Sequence, residues 1–164
     1  MRSFPAPVSK QTIQDGHAFV QNRRAIFEYE VLERHEAGLE LMGSEVKSIR
    51  DGKCSLAEAF CQFNGAGELF LIQAHVGEYP LAHSRNHVPL RQRKVLMHRR
   101  ELDHLAEMVT QAGLTLIPFD LHSRKGKIKL ALALCRGKKT YDKRATIKER
   151  EQKREIDRAI RERS

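Results

Sequence analysis

The sequence has no tryptophan, only three cysteines, and no apolar run that approaches the length of a membrane span. A transmembrane helix needs about 20 consecutive apolar residues, so a membrane-spanning protein is excluded. Cys54, Cys61 and Cys135 are odd in number and form no CxxC pair, which indicates a reducing cytoplasm rather than a disulfide framework. The first residues lack the apolar core of a secretory signal, so we expect no export.

The sequence also lacks a recognisable catalytic or metal-binding set. There is no GxSxG and no P-loop. His83 and His87 are four residues apart, but Pro89 follows closely and no third ligand stands at a zinc-like spacing. Cys54 and Cys61 are expected to be small core residues rather than nucleophiles. We therefore predict a protein that is not an enzyme and that holds no metal or cofactor.

Positive charge is abundant and unevenly placed. Thirty Lys and Arg residues stand against 21 Asp and Glu, and two-thirds of the net charge of +9 falls within residues 136–164. Such a basic protein usually binds a polyanion, most often nucleic acid, although charge can also serve solubility alone. With only 6% aromatic residues, stacking on single-stranded bases is disfavoured, which points to a folded RNA recognised by shape.

Hydrophobic patterning predicts a mainly β protein with flanking α-helices. Alternating or apolar runs predict strands, and spacings of three and four predict short helices. The predicted strands cover residues 25–32, 38–42, 59–63, 68–76, 114–121 and 127–134, and the predicted helices cover 45–50 and 101–112. In the last strand, Ile128 and the leucines that alternate after it share one face, so Lys127 and Lys129 point the other way. Short meandering strands favour a small antiparallel barrel of the oligonucleotide-binding (OB) type.

Three regions follow from these patterns: a flexible N-terminal arm (1–20), the OB-like barrel (21–135) and a basic C-terminal tail (136–164). In the tail, Glu149–Lys153 and Asp157–Arg161 are spaced i,i+4, which supports a helix. Apolar residues are too few there to bury a helix face, so we expect the tail to be disordered alone and helical when bound. The alternative is a solvated tail without a role.

Several runs closely resemble the SsrA-binding protein family, also called small protein B. They are EAGLELMGSEVKSIRDGK (36–53), RQRKVLMHRREL (91–102), GLTLIPFDLHSRKGKIKLALALCRGKK (113–139) and YDKR (141–144). The likeness extends from about Asn22 to Arg150, in the same order. One departure is Leu121-His122-Ser123, where the family often has aromatic residues.

The resemblance implies a cytoplasmic RNA-binding protein that acts in bacterial ribosome rescue. Its partners would be the tRNA-like domain of transfer-messenger RNA (SsrA), elongation factor Tu through the RNA complex, and the stalled 70S ribosome. In trans-translation, alanyl-transfer-messenger RNA is delivered to that ribosome and the nascent chain is tagged. The tail would occupy the empty decoding centre and the mRNA channel of the small subunit.

The resemblance also implies site residues. Glu36, Leu96 and Lys127 match the family's RNA-binding positions, although Leu96 by itself would be assigned to the core. Basic residues complete the predicted RNA-binding set: Lys47, Arg50, Arg91, Arg93, Lys94 and Lys129. The predicted ribosome-engaging residues are Gly137, Lys138, Lys139, Tyr141, Asp142, Lys143 and Arg144. Two alternatives stay open: a ribosome-associated protein without a dedicated RNA, and a nucleic-acid enzyme.

Overall fold

Nine strands and four α-helices follow one another along residues 17–138 and 140–163, which are the residues described by the structure, a computed structural model. The side chains of residues 140–143 lie outside this description. The elements are β1 (Ala18–Gln21), α1 (Arg23–Glu28), β2 (Tyr29–Leu39), α2 (Gly43–Arg50), β3 (Cys54–Ser55), β4 (Phe60–Phe63), β5 (Leu69–Ile72), β6 (His75–Val76), a 3-10 segment (Pro80–Arg85), β7 (Arg93–Leu96), α3 (Arg99–Ala112), β8 (Thr115–Arg124), β9 (Lys127–Gly137) and α4 (Thr140–Glu162).

The strands form an antiparallel sheet that curls back on itself. The pairing order is β8–β4–β5–β7–β2–β9, and β9 pairs with β8 again. Long ladders join β2 to β9 and β9 to β8, whereas β4 meets β8 in register only at Cys61 and Leu116. The mainly β, OB-like prediction is thus confirmed, with a barrel that is not strictly closed. β1 pairs with β8, and β3 with β6.

The core lies inside this curled sheet and is rich in leucine. Ile128, Leu130, Leu132 and Leu134 of β9 all point into it, as their alternation predicts. The opposite face of the same strand is also buried at Ala133 and Cys135, in a smaller cluster with Ala25 of α1 and with Ile117 and Phe119 of β8. Because residues on both faces of β9 are buried, the strand is held in place, and so are the surface residues that it carries.

The first predicted strand is partly wrong, because residues 25–28 belong to α1. Asn22 caps this helix: its Oδ1 accepts a hydrogen bond from the backbone N–H of Ala25 at 3.1 Å. The Asn22 amide also donates to the carbonyls of Leu56 and Pro118, each at 3.0 Å. The buried Asn22 side chain makes three hydrogen bonds and so fixes the backbone at the start of α1. This tertiary constraint outweighs the β-like alternation of residues 25–28.

Two other predicted strands differ from the structure: the run 38–42 is no separate strand, because β2 continues unbroken to Leu39 and ends there, and the run 68–76 is divided into β5 and β6. β7, which holds Leu96, is not among the predicted strands. α2, the β4–β5 hairpin, α3, β8 and β9 all form where patterning places them, and Gly113 ends α3 in the left-handed conformation (φ 62°). β1 starts at Ala18, inside the range predicted for the arm, and β9 ends at Gly137, two residues beyond the predicted barrel. Residues 1–16 lie outside the described residues.

The helix predicted for the tail is confirmed as α4. It is helical in the chain alone, where the sequence predicts order only on a partner. The segment contains neither glycine nor proline, and its charge pairs at i,i+4 favour a helix without tertiary support. From Arg144 to Arg163 the described side chains are exposed, apart from the half-buried Thr146, so the prediction that this helix does not pack on the barrel is confirmed.

Candidate nucleic-acid interface

Four neighbouring strands present one continuous outer face. Leu96 of β7 stands opposite Gly38 of β2, Gly38 opposite Lys129 of β9, and Lys129 opposite His122 of β8. Residues directly opposite in antiparallel strands share a face, so these four form one row across the sheet. The adjacent outer row contains Glu36 of β2, Ala131 and Asp120. The structure therefore brings Glu36, Leu96 and Lys129 together; we name this surface the β7–β8 face.

Small and long residues alternate across the β7–β8 face: Gly38 and Ala131 are small, and Leu96, Lys129 and Glu36 are long. A Cβ added at Gly38 would lie 3.4 Å from the Cβ of Leu96, so Leu96 leans over the glycine. Leu96 is 48% exposed, which corrects the core assignment that its residue type alone suggests. An exposed leucine beside cationic side chains gives a nucleotide both an apolar surface for its base or ribose and a partner for its phosphate.

Glu36 is held by two side chains of β8. Arg124 donates to Glu36 Oε1 at 2.8 Å, and the Nε2 of His122 lies 3.1 Å from Glu36 Oε2. The other ring nitrogen of His122 lies 2.7 Å from Asp120 Oδ1. Desolvation by burial tends to raise the pKa of Glu36, but the hydrogen bonds from His122 and Arg124 and the charge of Arg124 outweigh it and lower that pKa. Glu36 is thus a fixed, ionised acceptor.

The tip of the β8–β9 hairpin adds a second basic group at one end of this face. Lys127 is exposed there, in register with Arg124. Arg50, at the end of α2, donates to the carbonyl of Gly126 at 3.1 Å and so lies beside Lys127. Lys47 stands apart from them, with its ammonium 5.4 Å from the centre of the Tyr79 ring.

The predicted cluster at Arg91, Arg93 and Lys94 does not form a free basic surface. Arg93 is only 1% exposed, and its guanidinium donates to Glu45 Oε1 at 2.8 Å and to the carbonyl of Ala74. The prediction that places Arg93 on RNA is therefore wrong, because a charge buried with its counterion cannot reach a phosphate.

The two flanking cations of this cluster are also paired, but they lie nearer to the surface. Arg91 donates to Glu45 Oε2 at 2.7 Å, and Lys94 donates to Glu68 Oε1 at 3.0 Å. Desolvation tends to raise the pKa of Glu45, but the arginines and the backbone N–H of Met42 lower it. For Arg91 and Lys94, a role on RNA stays a prediction.

The predicted ribosome-engaging residues lie where β9 passes into α4. Gly137 ends β9, and the N–H of Lys138 donates to the carbonyl of Glu28 at 2.9 Å. The Lys138 ammonium donates to the carbonyl of Ile26 and to Thr146 Oγ1, each at 3.3 Å, and so joins α1 to α4. Arg144, the last residue of the predicted set, is exposed on α4. Lys139 lies outside the described residues, and for Tyr141, Asp142 and Lys143 only the helical backbone is described.

Sequence reasoning missed His122 and Arg124 as members of the site. Arg124 lies beyond the predicted strand 114–121, and His122 is noted only as part of a departure from an aromatic stretch. The available signal was the period of two along β8, which places Asp120, His122 and Arg124 on the same side as Lys127 and Lys129 of the next strand. No local sequence pattern indicates that β9 lies between β8 and β2, so the contact of His122 with Glu36 across β9 could not be predicted.

The histidines and cysteines considered as ligands or nucleophiles lie in structural surroundings. No group of three His, Cys, Asp or Glu side chains among residues 17–138 and 140–163 is placed to hold a metal. His87 is buried, with its ring nitrogens 2.9 Å from Ser44 Oγ and from the Val76 carbonyl. Burial raises the pKa of the Cys54 thiol to about 11 and that of the Cys61 thiol to about 12, so neither is an activated nucleophile.

The fold and its surfaces define a class: small antiparallel β-barrel proteins with a charged outer face on the barrel and a long helix with many basic residues after it. None of the helices in the described part of the chain has both the length and the apolar content that a membrane crossing requires. A family model described as "SmpB protein" matches residues 19–162. The chain belongs to the SmpB protein family.

Relatives from distant bacteria support this assignment. The SsrA-binding protein of Flavobacterium psychrophilum is 51% identical over 144 residues, covering 87% of this chain and 95% of that protein. The SsrA-binding protein of Myxococcus xanthus is 51% identical and covers 87% and 88%; that of Clostridium botulinum is 42% identical and covers 92% and 96%. A solved structure described as "tmRNA-SmpB: a journey to the center of the bacterial ribosome" is 43% identical with a TM-score of 0.61, over 74% of this chain and 85% of that one.

Proposed function

We propose that this protein binds the tRNA-like domain of transfer-messenger RNA and acts in trans-translation, the rescue of stalled ribosomes with tagging of the nascent chain. The observation that carries the proposal is the gathering of Glu36, Leu96 and Lys129 on the β7–β8 face, with Lys127 at its end. The relatives are named for binding SsrA, and the similar solved structure is described with transfer-messenger RNA and the bacterial ribosome.

The chemistry of the face suits a folded RNA. Lys127, Lys129 and Arg50 supply cations for phosphates, which give affinity without reading sequence. Leu96 supplies an apolar contact for a ribose or base. Glu36 is an acceptor for ribose hydroxyl or base amino hydrogens, groups that a purely cationic surface does not recognise. The β7–β8 face therefore combines electrostatic attraction for any RNA with hydrogen bonding that depends on which ribose or base groups the RNA presents.

The basic helix serves the second half of the function. In this proposal the RNA complex, with elongation factor Tu, delivers alanyl-transfer-messenger RNA to a stalled ribosome in the cytoplasm. Residues 137–144 engage the empty decoding centre of the small subunit, and α4 continues along the vacant mRNA channel. The protein catalyses no reaction and needs no cofactor. The exposed side chains of α4, many of them basic, support this proposal.

A titration with two RNAs tests the binding step. Filter binding of the full chain should give tight saturation with the tRNA-like domain and at least about tenfold weaker binding to an elongator tRNA of equal length at the same salt concentration. Equal affinity for both RNAs would contradict a dedicated partner. In that case, co-purification of mixed ribosomal RNA would favour a general ribosome-associated protein.

A further inference from the structure

His122 is a buried histidine between two carboxylates. Its ring is 1% exposed, with Nδ1 2.7 Å from Asp120 Oδ1 and Nε2 3.1 Å from Glu36 Oε2. Asp120 lies two residues away on the same strand, whereas Glu36 lies on β2, beyond β9. The imidazole therefore connects β8 to the predicted RNA-binding carboxylate.

Each ring nitrogen of His122 faces one carboxylate. A neutral imidazole carries one N–H, so it can donate to only one of two facing carboxylates, whereas the protonated ring donates to both. The charged groups around the ring are Asp120 on its own strand, Glu36 of β2 with Arg124 bound to it, and Lys129 opposite in register on β9. On β1 the residue in register is the uncharged Ala18.

We infer that His122 is a positioning residue for RNA binding: together with Arg124 it fixes the Glu36 carboxylate so that the remaining lone pairs of Glu36 face the RNA. This inference rests on the proposed function. A carboxylate has about four acceptor sites, and His122 and Arg124 occupy one on each oxygen. The others remain for hydrogens of a ribose or a base. Loss of the His122 bond frees the carboxylate to rotate, so RNA affinity falls although no RNA contact is removed.

Two substitutions separate the two ring nitrogens. His122→Gln places an amide nitrogen near the position of Nε2 and keeps the bond to Glu36, whereas His122→Asn places it near Nδ1 and keeps only the bond to Asp120. Filter binding to the tRNA-like domain should show His122→Gln within about threefold of the wild type and His122→Asn weaker by about tenfold, the range for a bond to a charged group. In a Glu36→Gln background, His122→Asn should add little, because the two residues act as one unit.

Three outcomes would overturn the inference, and they differ in what else they affect. If Glu36→Gln leaves affinity unchanged, the assignment of Glu36 to the interface fails and the inference fails with it. If Glu36→Gln weakens binding and His122→Asn does not, only the inference fails. If both His122 variants weaken binding equally and lower the unfolding midpoint equally, His122 is a structural residue and positions nothing.

Discussion

At the scale of single residues, Lys127 is the clearest phosphate-binding candidate. It is exposed at the hairpin tip, next to the carbonyl that Arg50 contacts and two residues from Lys129 on the same side of β9. Its charge strengthens a local positive field without contributing to the core. A residue placed in this way can be removed without disturbing the fold.

We predict that Lys127→Ala weakens binding to the tRNA-like domain and lowers the magnitude of the log–log salt slope by about 1, the effect of one lost phosphate contact. Filter-binding titrations at several salt concentrations measure both quantities. Lys148→Ala, which removes an exposed lysine of α4, is the matched control and should leave the slope unchanged. An unchanged slope for Lys127→Ala would make Lys127 an ordinary solvated lysine.

What the sequence predicts at this scale depends on the kind of residue. Lys127 and Lys129 follow from strand alternation, because a period of two leaves only one outward side once the leucines point inward. The prediction that Arg93 contacts RNA is wrong because Arg93 pairs with Glu45, which lies 48 positions earlier. No local pattern reveals such a long-range buried pair. Glu36 was predicted to bind RNA from the family resemblance. Only the register of β2 with β9 places it on the same face as Lys129.

At the scale of elements, the barrel and α4 divide the proposed function. The barrel presents the β7–β8 face, and α4 presents a separate set of exposed charged side chains. α4 and most of the barrel strands were predictable from charge spacing and apolar alternation, whereas β7 was not, because its four residues show no apolar alternation. α1 was not, because a six-residue helix has too few turns to show a period and depends on the buried cap Asn22.

Removal of residues 142–164 tests this division. Since the described side chains from Arg144 onward are largely exposed, the unfolding midpoint should change little. Affinity for the tRNA-like domain should remain within about threefold, because the cations of the barrel remain. Tagging of nascent chains in a reconstituted stalled-ribosome assay should fall to background.

The full-length chain serves as the control in the same assays. Loss of RNA binding and tagging in parallel would contradict the division between barrel and helix. Full tagging by the shortened chain would contradict the role proposed for α4 in the mRNA channel.

At the scale of the whole molecule, buried acid–base pairs make stability depend on pH. Desolvation tends to raise the pKa values of Glu33, Glu36 and Glu45, but their hydrogen bonds and cationic partners outweigh it and lower all three. A carboxyl group with a lowered pKa in the folded state adds stability above its unfolded value, and that stability disappears as pH falls through the folded value. The molecule should therefore be most stable at pH values above these carboxyl pKa values.

We predict that the free energy of unfolding is nearly constant just above pH 5 and falls steadily below the ordinary glutamate pKa of 4.5. Urea unfolding at a series of pH values measures this. Glu45→Gln should lower stability at neutral pH by about 3–5 kcal/mol, because Arg93 is left buried without its counterion. The same variant should lose less on acidification than the wild type. If the wild type and Glu45→Gln lost equal stability on acidification, the pKa of Glu45 would be the same in the folded and the unfolded state.

The attachment of α4 has a mechanical consequence. α4 has 23 residues, so at about 1.5 Å per residue it is a lever about 35 Å long. Lys138 joins its first turns to Ile26 of α1 near the pivot. A tilt of about 10° there moves the far end by about 6 Å, nearly two base steps of about 3.4 Å along a nucleic-acid strand. Small changes in the Lys138 contacts would thus be amplified along α4, and in the proposed function they would set which nucleotides its far end can reach.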